Sequence, residues 1–116
     1  MFGLFRGKPA ATRPPLNELS PAEIEAGLAG KTILLVDVRE PQEFAAGHIA
    51  GAESAPLSRF DATALKPGKR AIVLYCGVGQ RSAMAAARCA QAGVEIGGHL
   101  RGGLSAWKGA GLPTVR

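Results

Sequence analysis

A chain of 116 residues is the usual size of one domain and can bury one hydrophobic core. Its 47% hydrophobic content fits a globular protein, and no apolar stretch approaches a membrane span or a signal-peptide core. The net charge of +5 is weighted to Arg6, Lys8 and Arg13, and the aromatics beside them, Phe2 and Phe5, are too few to support a nucleic-acid surface.

In chain order, Met1 to Pro15 mixes Gly, Pro, Lys and Arg without periodicity and reads as a flexible basic leader to a single domain over residues 16–116. Leu16 to Leu19 suggests a short entry strand or turn. Ser20-Pro21-Ala22-Glu23 carries the marks of a helix start: an N-cap Ser, Pro at the first helical position and Glu closing a capping box. That helix should end at Gly30, with Ile24 and Leu28 toward the core. Thr32 to Asp37 is an apolar run ending in an acid, the pattern of a buried parallel strand. Pro41 opens a short helix to Ala46, stopped by Gly47. Ala52 to Ala55 reads as a strand broken by Pro56, and Leu57 to Leu65 offers one or two helical turns with Phe60 and Leu65 inward. Lys66 to Arg70 is a basic Pro-Gly turn, most simply a solvated edge.

Ala71 to Tyr75 is rich in β-formers and predicts a central strand. Ser82 to Ala92 is Ala-rich and predicts a helix with Ser82 near its N-cap and Gly93 at its stop. Val94-Glu95-Ile96 is a candidate last strand. Gly102-Gly103 turns into a final helix over Leu104 to Lys108, anchored by Trp107. This alternation implies an α/β fold with a mainly parallel sheet of about five strands and helices on both faces.

Between strand and helix lies Cys76-Gly77-Val78-Gly79-Gln80-Arg81-Ser82. A cysteine at a strand's end, facing a helix N-terminus and near a permanent cation, should have a thiol pKa below its free value of about 8.5. Cys76 is therefore the expected nucleophile, Arg81 the group that tunes it, and the backbone of Gly77 to Ser82 the cradle for an anionic group. Two anions fit this description: a phosphoryl group, or a sulfur carried on Cys76. Cys89 falls too far along the helix, roughly 10 Å beyond the loop at 1.5 Å per residue, to form a disulfide with Cys76, and reads as a small buried filler. Neither cysteine stands at zinc-ligand spacing, so no metal is expected, and reduced thiols fit a cytoplasmic setting.

Three segments share a resemblance. The loop, as Cys-x-x-Gly-x-Arg-Ser, resembles the active-site loop of the rhodanese (sulfurtransferase) family. Asp37-Val38-Arg39, Glu43-Phe44 and Gly47-His48-Ile49-Ala50-Gly51-Ala52 together resemble its second signature. Leu100-Arg101-Gly102-Gly103, Ala106-Trp107 and Gly111-Leu112-Pro113 resemble its closing one. The likeness spans about residues 16–114. Cysteine-dependent phosphatases and arsenate reductases, the alternative enzyme class, usually place five residues between Cys and Arg, whereas four stand here.

The resemblance implies a sulfurtransferase that forms a Cys76 persulfide without any cofactor. Its expected partners are a small-molecule sulfur donor, such as thiosulfate or a low-molecular-weight persulfide, and a thiol, cyanide or thioredoxin acceptor. The non-catalytic alternative is a persulfide carrier or regulatory module. By the same resemblance, Asp37 and Arg39 support the fold and the pocket wall, and His48 helps hold its loop. Neutral Val78 stands where thiosulfate-specialised members often place basic residues.

Overall fold

The computed structural model describes residues 15–116; the expected leader falls almost entirely outside them. The elements are strands β1 (Glu18–Leu19), β2 (Ile33–Asp37), β3 (Glu53–Ser54), β4 (Ala71–Tyr75) and β5 (Gly98–Leu100), with helices α1 (Pro21–Ala29), α2 (Pro41–Ala46), α3 (Gln80–Gln91) and α4 (Gly103–Gly109). All strand pairs are parallel, in the order β1-β5-β4-β2-β3. The sheet is centred on β2 and β4, which pair from Ile33 opposite Ala71 to Asp37 opposite Tyr75.

Side-chain alternation along these strands sorts the core into two layers. Leu34, Val36, Ile72, Leu74 and Cys76 face α3, meeting Ala85, Ala86 and Cys89. Leu35, Val73, Tyr75 and Leu100 face the other way, against Ile24 of α1 and Leu104 and Trp107 of α4. The small Ala85 and Ala86 of α3 pack in the same cluster as the cysteine at the end of β4. Burial of each large aliphatic side chain contributes about 1.5–3 kcal/mol, and Ile24, Val36 and Leu74 are each fully buried.

The first helix forms as its residues direct. The Ser20 hydroxyl accepts from the Glu23 N–H at 3.2 Å, and the Glu23 carboxylate accepts from the Ser20 N–H at 2.9 Å. The Leu57–Leu65 stretch forms two 3₁₀ turns, Leu57–Arg59 and Ala62–Ala64. Two expectations are corrected. The strand predicted at Val94–Ile96 lies instead at Gly98–Leu100. Val94 closes the end of α3 through its N–H to the Cys89 carbonyl, and Val94 and Ile96 pack partly buried against the core from a connecting segment. Their apolar spacing imitates a strand, while the true strand begins with a glycine whose pairing is dictated by its neighbours. Helix α3 starts two residues earlier than expected, at Gln80, with Gly79 at the cap and Ser82 inside the first turn.

Candidate active site

The Cys76 loop runs from the C-terminal end of β4 to the first turn of α3. Gly79 has φ +116°, in the left-handed region that favours glycine, and this reversal folds the chain back over the sulfur. The Gly79 N–H donates to Cys76 Sγ at 3.1 Å. The Cys76 thiol lies 3.5 Å from the Ser82 hydroxyl. Burial pushes this thiol up, but the Ser82 hydroxyl and the N–H groups of Ser82, Gly79 and Val78 outweigh it and bring the group below its ordinary value. Cys76 is fully buried, so its sulfur is closed to solvent in this state. The outer side of the loop over it faces solvent: Val78 is 66% exposed, and Gly77 and Gly79 are partly so.

Helix α4 braces the loop from below. The Leu104 N–H donates to the Cys76 carbonyl at 2.8 Å and the Ser105 N–H to the Gly77 carbonyl at 3.0 Å. Gly103 sits at φ +60° where a Cβ would come within 2.5 Å of the Cys76 carbonyl oxygen, so that position admits no side chain. The closing signature of the sequence thus packs directly against the Cys76 loop.

Ser82 is a junction. Its Oγ lies 2.7 Å from His99 Nδ1, 3.2 Å from the Gly79 carbonyl and 3.5 Å from Cys76 Sγ. His99 projects from β5, and its Nε2 lies 3.2 Å from Glu18 Oε2 on β1.

Arg81, expected to tune Cys76 and orient the loop, is coupled to Cys76 through its charge and hydrogen-bonds elsewhere. Its guanidinium grips Glu43 of α2 in a two-pronged pair at 2.7 and 3.1 Å, and a Cβ at Gly77 would stand 3.3 Å from its Nη2. It therefore lies along the rim of the loop, with the sulfur held by Ser82 and backbone groups. The Arg81 pair holds the Glu43 carboxyl down at about 2. This value lies below that of an unfolded Glu, about 4.3, so the pair's contribution to stability is complete above that pH and is lost as pH falls toward 2. Both side chains are more than one-third exposed, which keeps the contribution modest. In thermal melts between pH 7 and 2, Glu43→Gln should lose less stability on acidification than the parent; parallel curves would contradict this account.

Asp37 and Arg39 form a buried pair under the β2 end. Asp37 Oδ2 accepts from Arg39 Nη2 at 2.7 Å, Oδ1 accepts from the Arg39 backbone N–H at 2.9 Å, and the same Nη2 also donates to the Gly47 carbonyl at 2.7 Å. The Tyr75 hydroxyl accepts from the Ile49 N–H at 3.0 Å, and burial pushes this phenol well up. Two of the three signatures are thereby tied together behind the loop. His48 stacks on Phe44 with ring centroids 3.7 Å apart and bonds the Phe44 carbonyl through Nδ1, a positioning role for the α2 turn. Trp107 is buried, with its N–H donated to the Pro113 carbonyl. Cys89 is a free, buried thiol pushed up by burial, as a core filler should be.

The structure thus joins the loop of Cys76, Gly77, Val78 and Gly79 directly to Gln80, Arg81 and Ser82 in the first turn of α3, with Asp37 and Arg39 behind them. Sequence reasoning missed three participants. Glu43 lay within a recognised signature but without a role. His99 and Glu18 lay in no motif, and only the parallel pairing of Glu18 with His99 brings them to the site.

An all-parallel sheet with a cysteine loop at its C-terminal edge, capped by a helix N-terminus, defines a class of cysteine-centred α/β domains. The rhodanese-like domain model matches residues 20–110, and the chain belongs to that family. It is 37% identical to a sulfurtransferase of Allochromatium vinosum over 102 residues, covering 86% of this chain and 95% of that one. It is 51% identical to an uncharacterised Synechocystis protein over 85 residues, covering 72% of this chain and 48% of that one. A rhodanese-related protein of Thermoplasma volcanium superimposes with a TM-score of 0.73 at 30% identity, covering 84% of this chain and 96% of that one. The chain spans less than half the length of some curated relatives it matches. No described helix is long and apolar enough to cross a membrane.

Proposed function

We propose that the protein is a sulfurtransferase that carries sulfane sulfur on Cys76, within a domain over residues 16–116. The Cys76 thiolate attacks the outer sulfur of the donor. With thiosulfate, the S–S bond of the donor breaks, sulfite departs with the electron pair, and Cys76 holds a persulfide. A thiophilic acceptor, whether cyanide, a small thiol or thioredoxin, then attacks the outer sulfur, and Cys76 leaves as thiolate. The observation that carries this reading is the Cys76 sulfur held by the Gly79 N–H at 3.1 Å and beside the Ser82 hydroxyl at 3.5 Å, at the end of a strand and the start of a helix, in surroundings that bring its thiol below the ordinary value. Arg81 at the loop rim supplies positive charge for an anionic donor, and Gly77 to Gln80 supply the backbone that encloses the transferred atom. A reducing cytoplasm suits a free thiol of this kind.

The closed sulfur favours a second reading, a dedicated carrier loaded only when a partner protein opens the loop. Intact-protein mass spectrometry after incubation with thiosulfate, and separately with glutathione persulfide, tests both. One added sulfur on Cys76, removable by cyanide, is the expected result. Loading by a desulfurase alone favours the carrier. No adduct from any of these donors, on folded and reduced protein, overturns the proposal.

A further inference from the structure

His99 and Glu18 lie outside every sequence signature, yet through Ser82 they form a line that ends at the Cys76 sulfur. His99 is 4% exposed, and its two ring nitrogens are both engaged: Nδ1 with Ser82 Oγ at 2.7 Å and Nε2 with Glu18 Oε2 at 3.2 Å. Glu18 is about half exposed and reaches solvent.

Hydrogen-bond direction decides what this line can do. A carboxylate only accepts, so His99 Nε2 carries a proton toward Glu18. In a neutral ring Nδ1 is then a lone pair, and it accepts the single Ser82 O–H proton. The longer contact to the Gly79 carbonyl is the weaker competitor for that proton. Ser82 Oγ in turn accepts from the Cys76 S–H. Every donor in the line points away from the sulfur and toward Glu18.

We infer that His99 is the proton acceptor for Cys76, reached through Ser82 and held in place by Glu18. The inference rests on the reading of Cys76 as nucleophile. On ionisation, the Cys76 S–H bond breaks and its proton joins Ser82 Oγ. The original Ser82 proton passes to His99 Nδ1. One proton has moved from sulfur to imidazole, no electrons have been gained or lost, and the charge-neutral thiol and imidazole have become a thiolate and an imidazolium. Ser82 now donates to the thiolate, Nδ1–H donates to Ser82, and Nε2–H remains on the Glu18 carboxylate. The groups facing the ring are consistent with this transfer: Glu18 from β1, Ser82 from α3 and Cys76 beyond it, with apolar Leu74 paired opposite His99 on β4 and exposed Arg101 past the end of β5.

The test is the pH dependence of Cys76 alkylation by iodoacetamide, with the labelled peptide identified by mass spectrometry. This reagent needs no sulfur donor, so a protein that forms no persulfide still reports on the relay. His99→Asn should raise the midpoint of the pH–rate profile by about one unit and slow labelling at pH 7 roughly tenfold. Glu18→Gln should shift it in the same direction by less. Ser82→Ala should match His99→Asn, and combining the two should add nothing, as for residues acting in one chain. Imidazole ¹⁵N shifts give an independent readout: His99 should be an imidazolium wherever the thiolate is present in the wild type and should keep its proton to a higher pH than in Cys76→Ser. A wild-type His99 that stays neutral while the thiolate forms overturns the relay, as does an unmoved alkylation profile in His99→Asn. Should that variant fail to fold, Glu18→Gln decides, since its carboxylate is at the surface: rates within 20% of wild type across the profile overturn the inference.

Discussion

Cys76→Ser is expected to cut sulfur transfer by at least ~1000-fold while leaving the fold in place, because it removes the one atom that bonds the transferred sulfur. An alcohol at this position does not ionise near neutral pH, so none of the charge stabilisation built around Cys76 is used. The smaller oxygen retains its neighbours: the Gly79 N–H donates to it, and the Ser82 hydroxyl is in reach to share a proton. Thermal unfolding should therefore shift by no more than a few degrees. The assay is thiocyanate release from thiosulfate and cyanide, with circular dichroism as the control on folding. Transfer within tenfold of the parent in a folded variant would exclude Cys76 as the carrier. Hydrolysis of an aryl phosphate by the parent, lost in the same variant, would move the protein to the phosphatase class despite its short loop.

The second large effect is on stability. Asp37→Ala leaves the Arg39 guanidinium buried with its principal partner gone, since Arg39 is 6% exposed and Asp37 accepts four of its hydrogen bonds. Breaking a buried ion pair from one side costs about 3–5 kcal/mol, a large share of the 5–15 kcal/mol that holds a domain together. At about 4–8 °C per kcal/mol, the melting temperature should fall by more than ~12 °C. Asp37→Asn keeps oxygen and shape and should lose less. A shift below ~4 °C in Asp37→Ala would show that water or the Gly47 carbonyl satisfies Arg39 unaided.

The contrast between these residues and His99 shows what a linear sequence reveals. Cys76, Arg81 and Ser82 were readable because they are near one another in the chain, between a strong strand and a strong helix. Asp37 and Arg39 were readable for the same reason, at the end of an apolar run. The Ser20 cap and the Gly93 stop are local chemistry, and they held. What failed depended on neighbours distant in sequence. Gly98-His99-Leu100 has weak strand propensity and becomes a strand because β4 and β1 lie on either side of it. The Ser82 hydroxyl was expected to cap the helix and instead turns inward, because Gly79 makes the reversal one turn earlier. Arg81 was expected to tune Cys76 and orient the loop; its charge does couple to Cys76, but the carboxylate that grips it lies 38 residues away and carries no local signal. Partners at such separations are fixed by topology, which no local pattern encodes.

The two bonds from helix α4 to the loop carbonyls do more than brace it. A trans peptide is a rigid plate with its C=O and N–H on opposite edges. Drawing the Gly77 oxygen down onto α4 therefore rotates the Val78 N–H up, and the Cys76 oxygen does the same for the Gly77 N–H. The Val78 N–H is among the groups that lower the Cys76 thiol. The polarity of the cradle is thus set from its far side, by a helix that makes no hydrogen bond to the sulfur: α4 acts as the fixed stop against which the loop's dipoles are turned inward.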